Sequence, residues 1–293
     1  MARVLISTSL ILTLLAVTSV LTLSSQNGYA SDQEAVSAKP SLRHASRSTD
    51  VYPPTRGDSM NGTSNPPIPA ADVLQGKLES GRSGLHGFDA DSMISTEAAA
   101  GLKSQGFYFC LRYLSRFSPQ SGGDLSRAEA TNILRGGLCL MPVQHAPRSG
   151  WVPSAILGTD YGRAAAENAK AVGFPPGVTV WLDLEGVGAG TTNDAVIDYC
   201  NAWFGVVSDS GYETGLYVGA NSLLEGDDLF WRLKTQHYWR SGSEVPDIPH
   251  RGYQLFQRIA ASPDPVNGIS IDRNLCIPDA LGGSPTWLAP ILL

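Results

Sequence analysis

Apolar positions follow two alternating patterns from residue 85 onward. Short runs rich in β-branched and aromatic residues predict eight strands: LHGFDAD (85–91), FYFCLRYLS (107–115), LCLMPVQHA (138–146), TVWLDLEGV (179–187), TGLYVGA (214–220), QHYWRS (236–241), YQLFQR (253–258) and GISIDRNL (268–275). Between the early runs lie segments that open with a capping residue and close at glycine, as helices do: STEAAAGLKSQG, LSRAEATNILRGG, DYGRAAAENAKAVG and NDAVIDYCNAWFGVVSDSG. This alternation is typical of parallel strands joined by crossover helices.

Eight strands in roughly 205 residues predict an α/β fold, a compact (β/α)8 barrel of the TIM type. The helix patterns of the last three units are short or irregular, so we expect an irregular end to the barrel. A doubly wound open sheet is the alternative. It is disfavoured because no glycine-rich phosphate loop follows the first predicted strand.

The first thirty residues have the features of a secretory signal peptide. Arg3 is the only charge before Asp32, an apolar run spans residues 4–23, and small residues stand at Gly28 and Ala30. We expect cleavage after residue 30, a secreted or cell-envelope location, and no stable membrane insertion afterwards. The alternative is an uncleaved anchor, because about 20 apolar residues can span a bilayer.

Residues 31–84 predict a disordered linker rich in Ser, Pro and Gly. Of the 24 aromatic residues, 22 lie beyond residue 84, so the capacity to build a core begins near Leu85. The sequence therefore predicts a signal peptide at 1–30, a linker at 31–84 and one barrel domain at 85–293.

Charge and cysteine content exclude several classes of function. The chain has 21 Lys and Arg against 27 Asp and Glu, a net charge of −6, and no basic run, which argues against a nucleic-acid partner. The four cysteines show no CxxC spacing, so no metal and no cofactor is predicted. Whether these cysteines form disulfides or remain buried thiols is left open.

Acidic residues mark the ends of several predicted strands, where barrel enzymes carry their catalytic groups. The clearest pair is Asp183 and Glu185 in WLDLEG, which share one face of a strand with Trp181 below them. Leu182 and Leu184 face the covering helices. Asp89 and Asp272, on the first and last predicted strands, are expected to join the pair because those strands are neighbours in a closed barrel.

Two carboxylates forced together repel each other, so one of them tends to keep its proton. Glycoside hydrolysis needs such a pair, a protonated acid for the leaving oxygen and an ionised partner for the developing positive charge. Two alternatives remain. The acids can be a structural cluster that pairs with Arg112, or they can hold a divalent cation, which accepts oxygen ligands.

Further candidate substrate-binding residues stand at the same strand ends. They are Asp89, Arg112, Tyr113, Gln144, Tyr217, Asp272 and Asn274. His145 also lies there, but a lone histidine is more often an ordinary polar surface group.

These motifs, taken together, resemble a known family. GFDAD (87–91), CLRYLS (110–115), LSRAEATNILRGGLCLMPVQ (125–144), LDLEG (182–186), GYETGLYVGA (211–220) and GISIDRN (268–274) are similar to the secreted, Rv2525c-like glycoside-hydrolase-like domains. That family in turn resembles the lysozymes of glycoside hydrolase family 25, which cleave peptidoglycan. The resemblance implies Glu185 as general acid and Asp183 as the residue that stabilises the transition state or orients an N-acetyl group. Asp89 and Asp272 would position the sugar or tune the pair.

The expected function is therefore that of an exported glycoside hydrolase acting on cell-wall polysaccharide of the peptidoglycan type. A non-catalytic barrel that binds carbohydrate or cell wall is the alternative. A weaker one is an envelope protein whose barrel binds a partner.

Overall fold

The computed structural model describes residues 73–258, 264–266 and 268–291 of the chain. The predicted leader, residues 1–30, lies outside the described residues, and so does most of the predicted linker. Within the described ranges, no helix is both long enough and apolar enough to cross a membrane.

Strand β1 (Lys77–Ser80) lies inside the range that the sequence assigns to the linker. It pairs antiparallel with β11 (Thr286–Ala289). Leu74, just before β1, is buried and donates its backbone N–H to the carbonyl of Gly173 at 2.8 Å. The predicted boundary after residue 84 is therefore wrong. The polar segment KLES has no apolar run that would reveal a strand, and its partner lies near the other end of the chain.

Eight strands close into a barrel. They are β2 (Leu85–Ala90), β3 (Phe107–Leu114), β4 (Cys139–Gln144), β5 (Thr179–Leu184), β6 (Glu213–Val218), β7 (His237–Arg240), β8 (Leu255–Arg258) and β10 (Ile269–Cys276). Neighbours pair in this order, and β10 pairs with both β8 and β2, which completes the ring. The predicted eight-stranded barrel is confirmed.

A helix follows each of the first five barrel strands. The helices are α1 (Thr96–Ser104), α2 (Arg127–Arg135), α3 (Ala155–Val172), α4 (Asn193–Asp209) and α5 (Gly226–Trp231). Ser or Thr side chains accept a backbone N–H at the start of the first four. The predicted caps are confirmed for α1 and α2, whereas Thr192, one residue before the predicted Asn193, caps α4. Helix α3 begins five residues before the predicted Asp160 because Ser154 caps it.

The end of the barrel departs from the repeating pattern. No helix follows β7 or β8 in the described residues, and β10 runs antiparallel to both of its neighbours. The short strand β9 (Asp264–Val266) pairs antiparallel with β10. Parallel neighbours need a long crossover, whereas a tight return reverses the strand. The expectation that all eight strands are parallel therefore fails for the last one.

Side chains of the strands form two apolar layers. One fills the barrel, with Phe109, Trp181 and Trp239 among its members, and the other packs between strands and helices. Glycine makes room for the large rings in the barrel. A Cβ on Gly215 would stand 2.4 Å from the Trp181 ring, and a Cβ on Gly87 would stand 2.3 Å from the Phe109 ring.

One end of the barrel, the base, is closed. Trp287 on β11 is fully buried and stacks on Phe109 with ring centroids 5.2 Å apart. Leu288 pairs with Leu140 near the start of β4. The opposite end, called the mouth here, is formed by the C-terminal ends of β2–β8 and the first half of β10.

All four cysteines are buried free thiols, which settles the question that the sequence left open. They are Cys110, Cys139, Cys200 and Cys276. Burial raises the pKa of each thiol, to about 12 for Cys139 and about 11 for Cys276.

Candidate active site at the mouth of the barrel

Strand β5 directs two acids into the mouth. Trp181 belongs to the layer inside the barrel, while Leu182 and Leu184 belong to the layer beneath the helices. Asp183 and Glu185 therefore have the inward orientation that the alternation predicts. Asp183 is only 7% exposed, whereas Glu185, just after the strand, is half-buried.

The absence of a side chain at Gly219 leaves the space that Glu185 occupies. A Cβ on this glycine would stand 2.5 Å from the Cβ of Glu185 and 2.8 Å from its Oε2. Because real side chains do not approach so closely, only glycine lets Glu185 pack against the end of β6.

Asp89, on β2, is buried at the same mouth and is surrounded by donors. Its carboxylate accepts hydrogen bonds from Asn274 Nδ2 at 2.7 Å, from Gln257 Nε2 at 3.0 and 3.2 Å, and from the Tyr113 hydroxyl at 3.3 Å. Asp272 is the register partner of Asp89 across the β2–β10 pair. The two acids thus come from strands that run in opposite directions.

The reversed direction of β10 corrects one detail of the sequence analysis. Asp272 was expected at the C-terminal end of the last strand, but the strand continues to Cys276. Asp272 reaches the mouth because an antiparallel strand begins there, and the strand then descends towards the base. All four acids expected at the site therefore lie at the mouth.

Two further hydrogen bonds fix the orientation of the amides around Asp89. The Tyr217 hydroxyl donates to Gln257 Oε1 at 2.8 Å, and Trp239 Nε1 donates to Asn274 Oδ1 at 2.8 Å. Each amide oxygen is thereby occupied, so each NH₂ group faces Asp89. This arrangement favours the ionised carboxylate of Asp89 and opposes the effect of burial.

Burial and mutual repulsion raise the pKa values of the acids. Burial is the main cause of a rise in the pKa of Asp89 to about 7, despite its donors. The pKa of Asp183 is raised well above its ordinary value by burial and then by the charge of Glu185. Burial also raises the pKa values of Glu185 and Asp272. The cluster therefore retains protons at pH values where exposed carboxyls have lost them.

Asp183 has one oxygen bonded and one free. Its Oδ2 accepts the backbone N–H of Ala146 at 3.3 Å. Its Oδ1 is buried and has no hydrogen-bond partner among the described residues. A buried acceptor without a donor is unfavourable, so this oxygen is a place for a retained proton or for a donor group of a ligand.

The structure contradicts two of the predicted substrate contacts, Arg112 and Gln144. Arg112 is fully buried between β3 and α2, with Nε 2.6 Å from Glu129 Oε1. Gln144 is also fully buried and bonds to the carbonyl oxygens of Ser115 and Tyr161. Both occupy outward positions of their strands. Strand alternation, applied strictly, would have excluded them, because their neighbours one position away point into the barrel.

The remaining predicted residues do gather around Asp89. Tyr113 and Asn274 bond to it directly, and Tyr217 bonds to it through Gln257. Whether they also contact a sugar stays a prediction.

Several residues of the mouth were not selected by the sequence analysis. Gln257 has the same strand parity as the inward-facing Leu255, a signal that could have identified it. Trp151 donates its indole N–H to the carbonyl of Glu185 at 2.8 Å. His145 bonds to Asp124 at 2.9 Å, and no sequence pattern joins those two loop residues.

The described ranges contain no group of three or more His, Cys, Asp or Glu side chains arranged to hold a metal ion.

A protein-family model places the chain among known proteins. The model of the Rv2525c-like, glycoside hydrolase-like domain matches residues 100–276, more than half of the chain. The chain belongs to this family. The Rv2525c-like match includes Asp183, Glu185 and Asp272, whereas Asp89 lies before it.

Solved structures with similar folds are distant in sequence. An uncharacterized protein of B. stearothermophilus is 18% identical, with 66% of this chain and 96% of that chain covered and a TM-score of 0.49. The bacterial lysozyme of Streptomyces coelicolor is 16% identical, with 68% and 94% covered and a TM-score of 0.45. The catalytic domain of endolysin ply40 from the Listeria monocytogenes bacteriophage P40 is 18% identical, with 67% and 95% covered and a TM-score of 0.45. No curated protein matches the chain.

Proposed function

We propose that this Rv2525c-like protein is an exported glycoside hydrolase that acts on cell-wall polysaccharide of the peptidoglycan type. The observation that carries the proposal is the inward-facing pair Asp183 and Glu185, whose pKa values are both raised. Neither carboxylate forms an ion pair with a basic side chain among the described residues, so the pair has no structural partner to account for it.

Exposure assigns the two roles. Glu185 is half-buried and within reach of a ligand in the mouth, so it acts as the general acid. Its proton passes to the glycosidic oxygen as the bond from that oxygen to the anomeric carbon breaks. Asp183 lies deeper, and once the proton that the two acids retain is on Glu185, the Asp183 carboxylate stabilises the positive charge that develops on the sugar. Water then adds to the anomeric carbon, and its proton returns to a carboxylate of the pair.

Asp89 and Asp272 act on the substrate and on the pair Asp183 and Glu185. Asp89 and Asp272 sit across from β5 at the same mouth, and the charge of Asp89 contributes to the raised pKa of Asp183. We propose that they position the sugar and tune the pair, with Tyr113, Tyr217 and Asn274 as further contacts around Asp89. Export rests on the apolar leader of residues 4–23.

Turnover of cell-wall substrates tests the proposal. The full chain is incubated with purified peptidoglycan and with chitin-type oligomers, and the release of reducing ends is measured. Glu185→Gln should lower the rate by about 10²–10⁴-fold, because it removes the proton donor and keeps the shape. The matched control is Glu167→Gln, an exposed glutamate on α3, which should leave the rate unchanged. Equal rates for wild type and Glu185→Gln, or no release by either, would contradict the proposal.

A second candidate is a carbohydrate-binding barrel without turnover. The observation that favours it is the burial of Asp89. This residue is 3% exposed, and its carboxylate already accepts hydrogen bonds from three side chains of the protein. In that case chitin-type oligomers would bind equally well to wild type and Glu185→Gln, and no product would form.

A further inference from the structure

His145 is held in a fixed orientation by the loop that follows β3. Its Nε2 lies 2.9 Å from Oδ1 of Asp124. The other oxygen of Asp124 accepts a hydrogen bond from the hydroxyl of Ser115. The Ser115 hydroxyl in turn accepts the backbone N–H of Ser121 at 2.8 Å. Because a carboxylate only accepts, Nε2 carries the hydrogen, which fixes the tautomer of the neutral ring.

The His145 ring packs against a donor to Asp89. It stacks on Tyr113 with ring centroids 4.4 Å apart and planes inclined by 15°. The Tyr113 hydroxyl donates to Asp89 Oδ2 at 3.3 Å. Burial keeps the pKa of Tyr113 well above its ordinary value, so the phenol remains a donor. The His145 ring therefore contacts the same side chain that donates to Asp89.

The backbone at His145 leads to a donor for a second acid. Its own N–H bonds to the carbonyl of Leu114 at 3.2 Å. The next N–H along the chain, that of Ala146, donates to Asp183 Oδ2 at 3.3 Å. The residue anchored to Asp124 thus directly precedes the amide that donates to Asp183.

We propose that His145 is a positioning residue which, anchored by Asp124, sets the hydrogen bonds to both Asp89 and Asp183. Its ring acts on Asp89 through Tyr113, and its anchor acts on Asp183 through Ala146. The role in catalysis rests on the proposed function, whereas the control of these two hydrogen bonds does not.

The charged and titratable groups that face His145 agree with this role. Asp124 is 2.9 Å from Nε2 and Asp91, which is exposed, is 3.8 Å away. Tyr113 covers one face of the ring.

Two substitutions distinguish the stacking of the His145 ring on Tyr113 from the hydrogen bond between His145 and Asp124. His145→Phe keeps a flat ring against Tyr113 but cannot donate to Asp124. His145→Gln keeps an N–H that can reach Asp124 but has no ring. The readout is the carboxyl ¹³C titration of Asp89 and Asp183 by NMR in the full chain, which needs no substrate and no turnover.

Loss of a donor disfavours the ionised carboxylate, so its titration midpoint rises. His145→Gln should change the midpoint of Asp89 more than that of Asp183, and His145→Phe should change that of Asp183 more than that of Asp89. Tyr113→Phe is the positive control and should move Asp89. His86→Ala, which removes an exposed histidine at the base end of β2, is the matched negative control.

The crossed pattern is one that general loosening of the fold would not give. If both substitutions leave both midpoints where His86→Ala leaves them, the proposal is overturned. It is equally overturned if both substitutions shift the two acids alike. Because turnover is not measured, these outcomes hold whether or not the protein hydrolyses glycans.

Discussion

Two sets of buried charges lie on opposite faces of the same barrel wall. On the outer face, Arg112 and Glu129 form an ion pair at 2.6 Å with almost no exposure. On the inner face, Asp183 and Glu185 form no ion pair with any described basic side chain, and the pKa values of both are raised. The first set is compensated and structural. The second is uncompensated, which makes these acids a candidate functional site.

The two sets differ in how many hydrogen-bond partners their side chains have. Besides Arg112, Glu129 accepts the N–H of Ile94 at 3.0 Å, and Arg112 also donates to the carbonyl of Ala90 at 2.8 Å. Asp183, in contrast, keeps one buried oxygen without a donor. A fold that can satisfy one buried pair so completely leaves the other open only where an incoming group or a proton completes it.

Removing one member of the compensated pair should have the largest effect on stability. Arg112→Met leaves Glu129 buried without its cation, and we expect the free energy of unfolding to fall by about 3–5 kcal/mol. Urea denaturation measures the change. The double variant Arg112→Met with Glu129→Leu is the control and should recover most of the loss. A loss below about 1 kcal/mol for Arg112→Met, as for an exposed pair, would refute the assignment.

The buried acids of the mouth should make stability depend on pH. The pKa of Asp89 is about 7 in the folded chain, above its unfolded value, so the folded state binds the proton more tightly. Stability from this group is complete below the unfolded pKa and is lost as pH rises towards 7. The loss is on the order of 4 kcal/mol between about pH 4 and pH 7, from a shift of about three units.

The comparison with Asp89→Asn isolates this contribution. The asparagine cannot titrate, so unfolding free energies measured by denaturation at a series of pH values should show a flatter slope. A matched substitution at an exposed site, Asp160→Asn, should keep the wild-type slope. If Asp89→Asn and wild type have the same slope, Asp89 does not titrate in this window.

Sequence alone could predict the inward acids but not their surroundings. Alternation within WLDLEG correctly places Asp183 and Glu185 on the face of Trp181, because the period of a strand is two. The same rule places Arg112 and Gln144 on the outward face, away from the mouth, in agreement with their burial between strands and helices. The direction of β10 depends on how the chain returns, which no local pattern encodes.

The contacts of the loops are harder still to predict. His145 meets Asp124 because two separate loops converge above the strands, and neither has a periodic pattern. Strand β1 is equally hidden, since its pairing with β11 joins distant parts of the chain. Periodicity determines which face a side chain takes. Tertiary contact determines what it meets there.

Glycine substitutions compare the packing of the mouth with that of the filled barrel interior. Gly215→Ala would press a methyl group into the Trp181 ring at 2.4 Å, in the filled interior. We expect a loss of about 1–3 kcal/mol in unfolding free energy, as for other overpacked cores. Gly219→Ala would press on the Cβ of Glu185 at 2.5 Å, and Glu185 is half-buried just after the end of β5, where the chain can shift towards solvent more easily than the buried Trp181 ring.

Gly219→Ala should therefore cost less stability than Gly215→Ala but displace Glu185. Thermal denaturation measures the first effect, and the carboxyl titration of Glu185 measures the second. Gly205→Ala on α4, where a Cβ would meet no atom within 4 Å, is the control. A stability loss for Gly219→Ala as large as that for Gly215→Ala would show that the mouth is packed as rigidly as the interior.

Neutralising an acid of the mouth should change stability in the opposite direction to Arg112→Met. Asp183→Asn keeps the shape, retains an oxygen for the N–H of Ala146 and removes the repulsion with Glu185. Because the folded-state pKa of Asp183 is raised, the ionised form is destabilising once pH exceeds the ordinary pKa, and the gain should grow as pH rises. We expect the free energy of unfolding to stay level at acid pH and to exceed that of the wild type at neutral pH. Denaturation at both pH values measures this, with Asp160→Asn as control. A loss comparable to that of Arg112→Met would mean that Asp183 has a stabilising partner, and the contrast between the two faces would fail.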